Sequence, residues 1–304
     1  MAGGTMEKVA LIGTGVIGRP IARCLIRAGF TTTVCDVRKK ATEPLVALGA
    51  KRADRAADCA TSDAIIIVVA NDTQVENVVT GPAGILSNLS AEVLPVIVVV
   101  STVSPDTVRN LGEQCRSKGL EIIDAPVTGG HVAAETGELT IMIGGRKDTF
   151  EKMRPVLSAF GQRLDYVGEL GAGETVKLIN NMLGVANMWL TIEALATGVR
   201  NGLSLDTLLS ILDAGSASNY YIRNWPRAKA FFSDFARDLD SAQNNLSLST
   251  KDLRHANKLA ELSNRPSPLV SGIIRGLEEL TPQYVVDQWA RVLYGHEMPN
   301  RKGV

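Results

Sequence analysis

The chain has 304 residues, enough for about two domains of 100 to 200 residues, each with a core of its own. Its 32 basic residues balance 32 acidic ones, with 45% of residues hydrophobic, so no net field draws it toward nucleic acid or an anionic lipid surface. The longest apolar runs, 65–70 and 93–100, are far shorter than the roughly 20 residues of a membrane helix. A soluble protein with no membrane partner is expected.

Residues 1–8 pass straight into a strand-like run without the charged segment and cleavage site of a secretory signal, which predicts a cytoplasmic chain. From residue 7 to about residue 165, β-branched runs alternate with helical stretches, as in a parallel sheet covered by helices. The strands are expected at 8–12, 32–35, 64–69, 96–100, 120–124 and 140–143. Several are apolar at every position, as strands buried on both faces must be. Beyond about residue 170 the strand signal stops, which predicts one domain over 1–168 and an all-helical one over 169–304. Val176, Ile179, Leu183, Ala186 and Leu190 recur at helical spacing and predict one long helix over 173–200 joining the two. Further helices are expected at 205–213, 239–262 and 267–280.

The four cysteines, Cys24, Cys35, Cys59 and Cys115, form no CxxC pair and have no histidine cluster nearby. They read as buried, reduced thiols rather than as a disulfide scaffold or a metal site. No metal is expected.

The run Gly13, Thr14, Gly15, Val16, Ile17, Gly18 places GxGxxG directly after a buried strand and at the start of a helix. Gly13 permits the tight turn, Gly15 lets the backbone approach a pyrophosphate, and Gly18 lets the helix pack on the strand. Amides at the helix start then face the phosphates. The second strand ends in Asp36, where a carboxylate accepts hydrogen bonds from the ribose hydroxyls of NAD and repels a 2'-phosphate. Arg38 and Lys39 follow and leave NADP possible. The fold class is therefore α/β, a Rossmann-type doubly wound parallel sheet followed by an all-α domain.

Two further strand ends and one helix carry polar chemistry. The first strand end is Ser101 to Pro105, which reads either as a ligand loop or as an ordinary helix cap at Ser104. The second is Asp124 to Gly130, where Thr128, Gly129 and Gly130 offer a hydroxyl and consecutive amides to a carboxylate, or form a plain glycine turn. Four residues separate Lys177 from Asn181, so an ammonium and an amide share one helix face. In a dry cleft such an amine loses its proton near neutral pH and serves as an acid/base, although a solvated helix lysine has the same spacing.

Four segments in this order resemble the β-hydroxyacid dehydrogenase family: the glycine loop 13–18, the segment 124–130 with Gly137, Glu138, Leu139 and Thr140 after it, the segment 171–181, and Lys251, Asp252, Leu253. The resemblance implies hydride transfer between NAD(P) and a small 3-hydroxy acid, with Lys177 as general acid/base. It also implies that Thr128, Gly129 and Gly130 hold the substrate carboxylate and that Asn181 orients the substrate. By the same likeness Thr102 lies against the nicotinamide, Lys251 reaches the cofactor or the cleft, Asp252 is structural, and the chain forms a homodimer or homotetramer. Thr128 stands where relatives commonly have serine, and 69–72 lacks a proline that many carry. An imine reductase, which usually lacks the lysine, and an inactive binding relative, which loses it and gains basic tails, are the alternatives.

Overall fold

A computed structural model describes residues 6–89, 93–235 and 237–294, and the chain divides into two compact units, Met1–Lys177 and Leu178–Val304. In the first unit the elements follow in the order β1 (Lys8–Ile12), α1 (Gly18–Arg27), β2 (Thr31–Cys35), α2 (Lys39–Val46), β3 (Lys51–Ala53), β4 (Ala64–Ile67), α3 (Asp72–Thr80), β5 (Val96–Val99), α4 (Pro105–Ser117) and β6 (Glu121–Asp124). Then come β7 (Val127–Thr128), α5 (Gly130–Thr136), β8 (Leu139–Gly144), α6 (Lys147–Ser158) and β9 (Gly161–Gly168). The strands lie in the order β3-β2-β1-β4-β5-β6-β8-β7, with β9 on β8. The chain runs outward from β1 to β3 and returns to β4 on the other side. This reversal places the ligand crevice of such a sheet at the carboxyl ends of β1 and β4.

Alternation along the central strands explains their continuous hydrophobicity. On β1, Val9 and Leu11 belong to the core on one face of the sheet, while Ala10 and Ile12 belong to the core on the other. The same split separates Val96 and Val98 from Ile97 and Val99 on β5. All four cysteines are free and buried in these cores.

The sheet departs from the expected parallel arrangement at one end. β8 runs antiparallel to β6 and to β7, pairing Asp124 with Gly144 and Thr128 with Thr140. The link from β7 to β8 is the seven-residue helix α5 and a left-handed turn at Gly137, shorter than the usual helical crossover between parallel neighbours. Three strands carry no hydrophobic run that the sequence reading could have found. β3 and β9 expose charged side chains, Lys51, Arg52 and Arg163, as strands at a sheet edge do, and β7 is two residues long.

Helix α7 (Ala172–Arg200) is followed by α8 (Leu205–Ala214), α9 (Tyr220–Arg223), α10 (Trp225–Phe235), α11 (Leu239–Leu262), α12 (Pro268–Glu279) and α13 (Pro282–Tyr294). α7 has the length and hydropathy of a membrane span. Its Met188, Trp189, Ile192, Leu195 and Ala196 are nevertheless buried in the core of the second unit, which identifies its second half as a core helix. Trp289 of α13 is fully buried at the centre of that core, with ring centroids 5.3 Å from Trp189, 5.1 Å from Phe232 and 4.5 Å from Phe235. Tyr221 and Trp225 pack on Phe232 at 5.6 and 5.9 Å, so these two aromatics help build the core. Replacing Trp289 by alanine should cost about 3–5 kcal/mol, seen as a lower urea midpoint. A midpoint unchanged from that of the parent would show that this core contributes little.

Candidate active site

The turn after β1 is fixed by its own packing at two of its three glycines. Gly13 has φ +97°, and a Cβ there would lie 2.1 Å from the carbonyl oxygen of Val68. A Cβ at Gly18 would lie 1.9 Å from the carbonyl oxygen of Gly13. Neither position tolerates any side chain. Gly15 differs, since a Cβ there meets nothing within 4 Å. The protein itself gives no reason for a bare backbone at Gly15, whereas a pyrophosphate lying on that backbone does. Ile17, at the N-cap of α1, makes no side-chain cap bond, while the Arg19 and Ile21 amides bond to the Gly15 and Ile17 carbonyls and Pro20 has no amide hydrogen, so the bare backbone at Gly15 is the feature that points to an anion. The loop therefore fits a dinucleotide.

Asp36 closes this loop from the end of β2. One carboxylate oxygen accepts from the Thr14 amide at 2.8 Å and the Thr14 hydroxyl at 3.0 Å. The other accepts from the Arg38 amide at 2.9 Å and lies 3.6 Å from the Arg38 guanidinium. Burial disfavours the charge, but the Arg38 and Thr14 amides, the Thr14 hydroxyl and the Arg38 charge outweigh it and hold the carboxyl below its ordinary value. A lowered folded pKa means that ionised Asp36 stabilises the fold above the usual carboxylate pKa, and that this contribution disappears as pH falls through the folded value. An Asp36→Asn variant should accordingly lose stability at neutral pH and converge on the parent in acid, which thermal melts across pH 3 to 7 would read. A constant difference over that range would contradict the assignment.

The loop after β5 is tethered on three sides. The Ser101 hydroxyl oxygen accepts from the Val69 amide at 2.7 Å, the Ser104 amide donates to Asp72 at 2.8 Å, and the Val103 amide donates to Glu174 at 3.2 Å. Ser104 is also the N-cap of α4, its side chain accepting from the Asp106 amide as the helix-cap reading expects. Thr102 sits half-buried between these tethers.

The strand β6 ends at Asp124, which is completely buried. Its two oxygens accept from the Gly171 and Glu174 amides, each at 2.8 Å, at the start of α7. Burial pushes this carboxyl above its ordinary value despite the amides that favour its charge. The close approach leaves room only for glycine at two positions, because a Cβ at Gly144 or Gly173 would lie 2.4 or 2.8 Å from an Asp124 oxygen. Three residues beyond Asp124 comes β7 with Thr128, followed by Gly129 and Gly130 at φ +123° and +70°. Both glycines are exposed and Thr128 is half-buried.

Lys177 lies half-buried in the second turn of α7 and belongs to the first unit, with the glycine loop, Asp36, Thr102, Thr128, Gly129 and Gly130. Asn181 and Lys251 belong to the second. There, Asp252 joins them: the Asn181 amide donates to it at 2.7 Å, and the Lys251 ammonium lies 3.3 Å from its other oxygen. Sequence reasoning missed what Asp124 and Glu174 do. An acid at a strand end and another in the first turn of a helix were the available signals.

Fold and loop together define a dinucleotide-binding domain of Rossmann type followed by a helical unit. Residues 8–168 match the sequence family described as the NAD binding domain of 6-phosphogluconate dehydrogenase. Residues 171–288 match that of the NAD-binding of NADP-dependent 3-hydroxyisobutyrate dehydrogenase. The chain is 36% identical over 265 residues to the 2-(hydroxymethyl)glutarate dehydrogenase of Eubacterium barkeri, covering 87% of this chain and 86% of that one. It is 36% identical over 225 residues to a 3-hydroxyisobutyrate dehydrogenase of Pseudomonas aeruginosa, covering 73% and 75%. The crystal structure of a 3-hydroxyisobutyrate dehydrogenase from Salmonella typhimurium superposes with a TM-score of 0.77 at 26% identity, covering 92% of this chain and 99% of that one. The protein belongs to the β-hydroxyacid dehydrogenase family.

Proposed function

We infer that the protein is a cytoplasmic, NAD-dependent dehydrogenase of a small 3-hydroxy acid, interconverting the alcohol and its semialdehyde or keto form. The observation that carries this reading is the position of Lys177. It stands half-buried on a helix whose first turn is bonded to the strand leading to Thr128. Support for the substrate class comes from the relatives, since both named acids bear a hydroxymethyl group on the carbon beside a carboxylate.

The loop 13–18 cradles the pyrophosphate with the backbone beyond Gly13 and Thr14, whose amides bond to Cys35 and Asp36, Asp36 takes the adenosine ribose, and Thr102 faces the nicotinamide. When bound, the nicotinamide supplies the hydride acceptor or donor. The Thr128 hydroxyl and the Gly129 and Gly130 amides hold the substrate carboxylate, and so fix which hydrogen can leave. Asn181 orients the alcohol, and Lys251 reaches the cofactor side. In oxidation, neutral Lys177 takes the hydroxyl proton; in reduction, its ammonium returns a proton to the alkoxide oxygen. The methyl group of Thr128, absent from serine, narrows the carboxylate pocket. Val176, Ile179, Leu183 and Leu190 are 38 to 63% exposed on α7, and this apolar stripe suits a second copy of the chain in a homodimer or homotetramer.

The test is a panel of 3-hydroxy acids offered with NAD and with NADP, followed at the absorbance of the reduced nicotinamide. The expected result is turnover of at least one acid with a higher kcat/KM for NAD. Cofactor binding without turnover of any acid would overturn the dehydrogenase reading, and a preference for NADP would overturn the role given to Asp36.

A further inference from the structure

Glu174 is completely buried in the first unit, and the function proposed above gives it no task. Taking a carboxylate out of water is costly, and an apolar residue of similar volume would fill the space at lower cost. Its oxygen accepts the Val103 amide across 71 residues of chain, while its own amide donates to Asp124 across 50. Three segments thus converge on one turn of helix: the loop holding Thr102, the strand leading to Thr128, and α7 with Lys177 three residues onward.

We propose that Glu174 is a positioning residue, a buried strut that sets the distance from the Thr102 loop to Lys177 while Asp124 fixes the same turn against the strand of the carboxylate cradle. This deepens the function proposed above and rests on the roles given there to Lys177 and Thr102. The strut matters because hydride and proton leave one alcohol carbon–oxygen unit toward two different groups. Their separation must match that unit, and an error of about 1 Å costs on the order of 100-fold in rate. Glu174 fixes that separation without touching either reactant. The loop has other tethers, at Ser101 and at Ser104 through Asp72, so losing the Glu174 bond shifts Thr102 without unfolding the segment.

The test compares Glu174→Leu, Glu174→Asp and Glu174→Gln in the full chain, with two readouts. The first is hydrogen exchange of the 101–104 amides in the cofactor-free protein. The second is kcat, KM and the primary deuterium isotope effect with a deuterated hydroxy acid. Glu174→Leu should speed exchange at Val103, lower kcat by about tenfold or more with KM for the cofactor little changed, and raise the isotope effect as hydride transfer becomes limiting. Glu174→Gln, which keeps an acceptor oxygen for Val103, should recover most of the protection and of kcat. If the leucine variant does not fold, Glu174→Asp carries the comparison, because it keeps the charge but is one methylene too short to reach the amide. Parent-like exchange and kinetics in whichever of these two variants is folded would overturn the proposal, as would losses that track only its folded fraction. Lys177→Ala is run alongside. Full activity in that variant condemns the function reading itself, whereas an inactive Lys177→Ala beside an unaltered Glu174→Leu condemns the strut alone.

Discussion

Lys177→Ala is expected to lower kcat by about 100-fold or more while changing the Kd for NAD by less than about threefold. The size follows from the chemistry, since an alcohol does not release its proton near neutral pH without a base beside it, and an alkoxide formed without an acid reverts. The selectivity follows from the chain, because the proposed cofactor cradle is the 13–18 loop with Asp36, which is held by bonds to Thr14 and Arg38 in which Lys177 takes no part. Loss of a half-buried lysine near the start of a 29-residue helix removes little packing, so the melting temperature should move by only a few degrees. Stopped-flow mixing separates hydride transfer from release, and the deficit should fall on the transfer step. A parent-like kcat would remove Lys177 from the mechanism.

The second large effect is a contrast between Gly15 and Gly18, two and five residues beyond Gly13. Gly15→Ala should leave the free protein as stable as the parent, because the added methyl meets nothing within 4 Å. NAD affinity should fall by more than about tenfold, equivalent to roughly 1.4 kcal/mol, because the methyl occupies the place of the pyrophosphate. Gly18→Ala should do the reverse. Alanine is the better helix former by about 1 kcal/mol, yet its Cβ would lie 1.9 Å from a backbone oxygen that has nowhere to go. That variant should lose stability first and cofactor binding as a consequence. Calorimetric titration with NAD and thermal melts of both proteins distinguish the two, and equal losses of stability would deny that Gly15 is kept for a ligand.

The central strands were legible because burial on both faces leaves a run of β-branched residues that no helix imitates. β1 was expected at the residues where it occurs, and β4 and β5 differ only at their ends. β3 and β9 were hidden, since an edge strand needs only one apolar neighbour and can spend its other positions on Lys51, Arg52 or Arg163. α10 and α13 were hidden for a different reason: each begins at or beside a proline and is rich in aromatic or β-branched residues, which is weak helical signal until Phe232 and Trp289 pack together. In the site, local motifs declared themselves. The glycine spacing gave the loop, and the acid ending β2 gave Asp36. The partners of buried carboxylates did not, because Asp124 meets Gly171 and Glu174 meets Val103 only after separations of 47 and 71 residues have been closed by the fold.

The most direct measurement is a crystal structure of the protein with NAD and a 3-hydroxy acid that it turns over. The Lys177 ammonium is expected within about 2.7–3.2 Å of the alcohol oxygen, with the acid's carboxylate on the Thr128 hydroxyl and the Gly129 and Gly130 amides. A bound acid whose carboxylate lies elsewhere, with the Lys177 nitrogen turned to solvent, would contradict it.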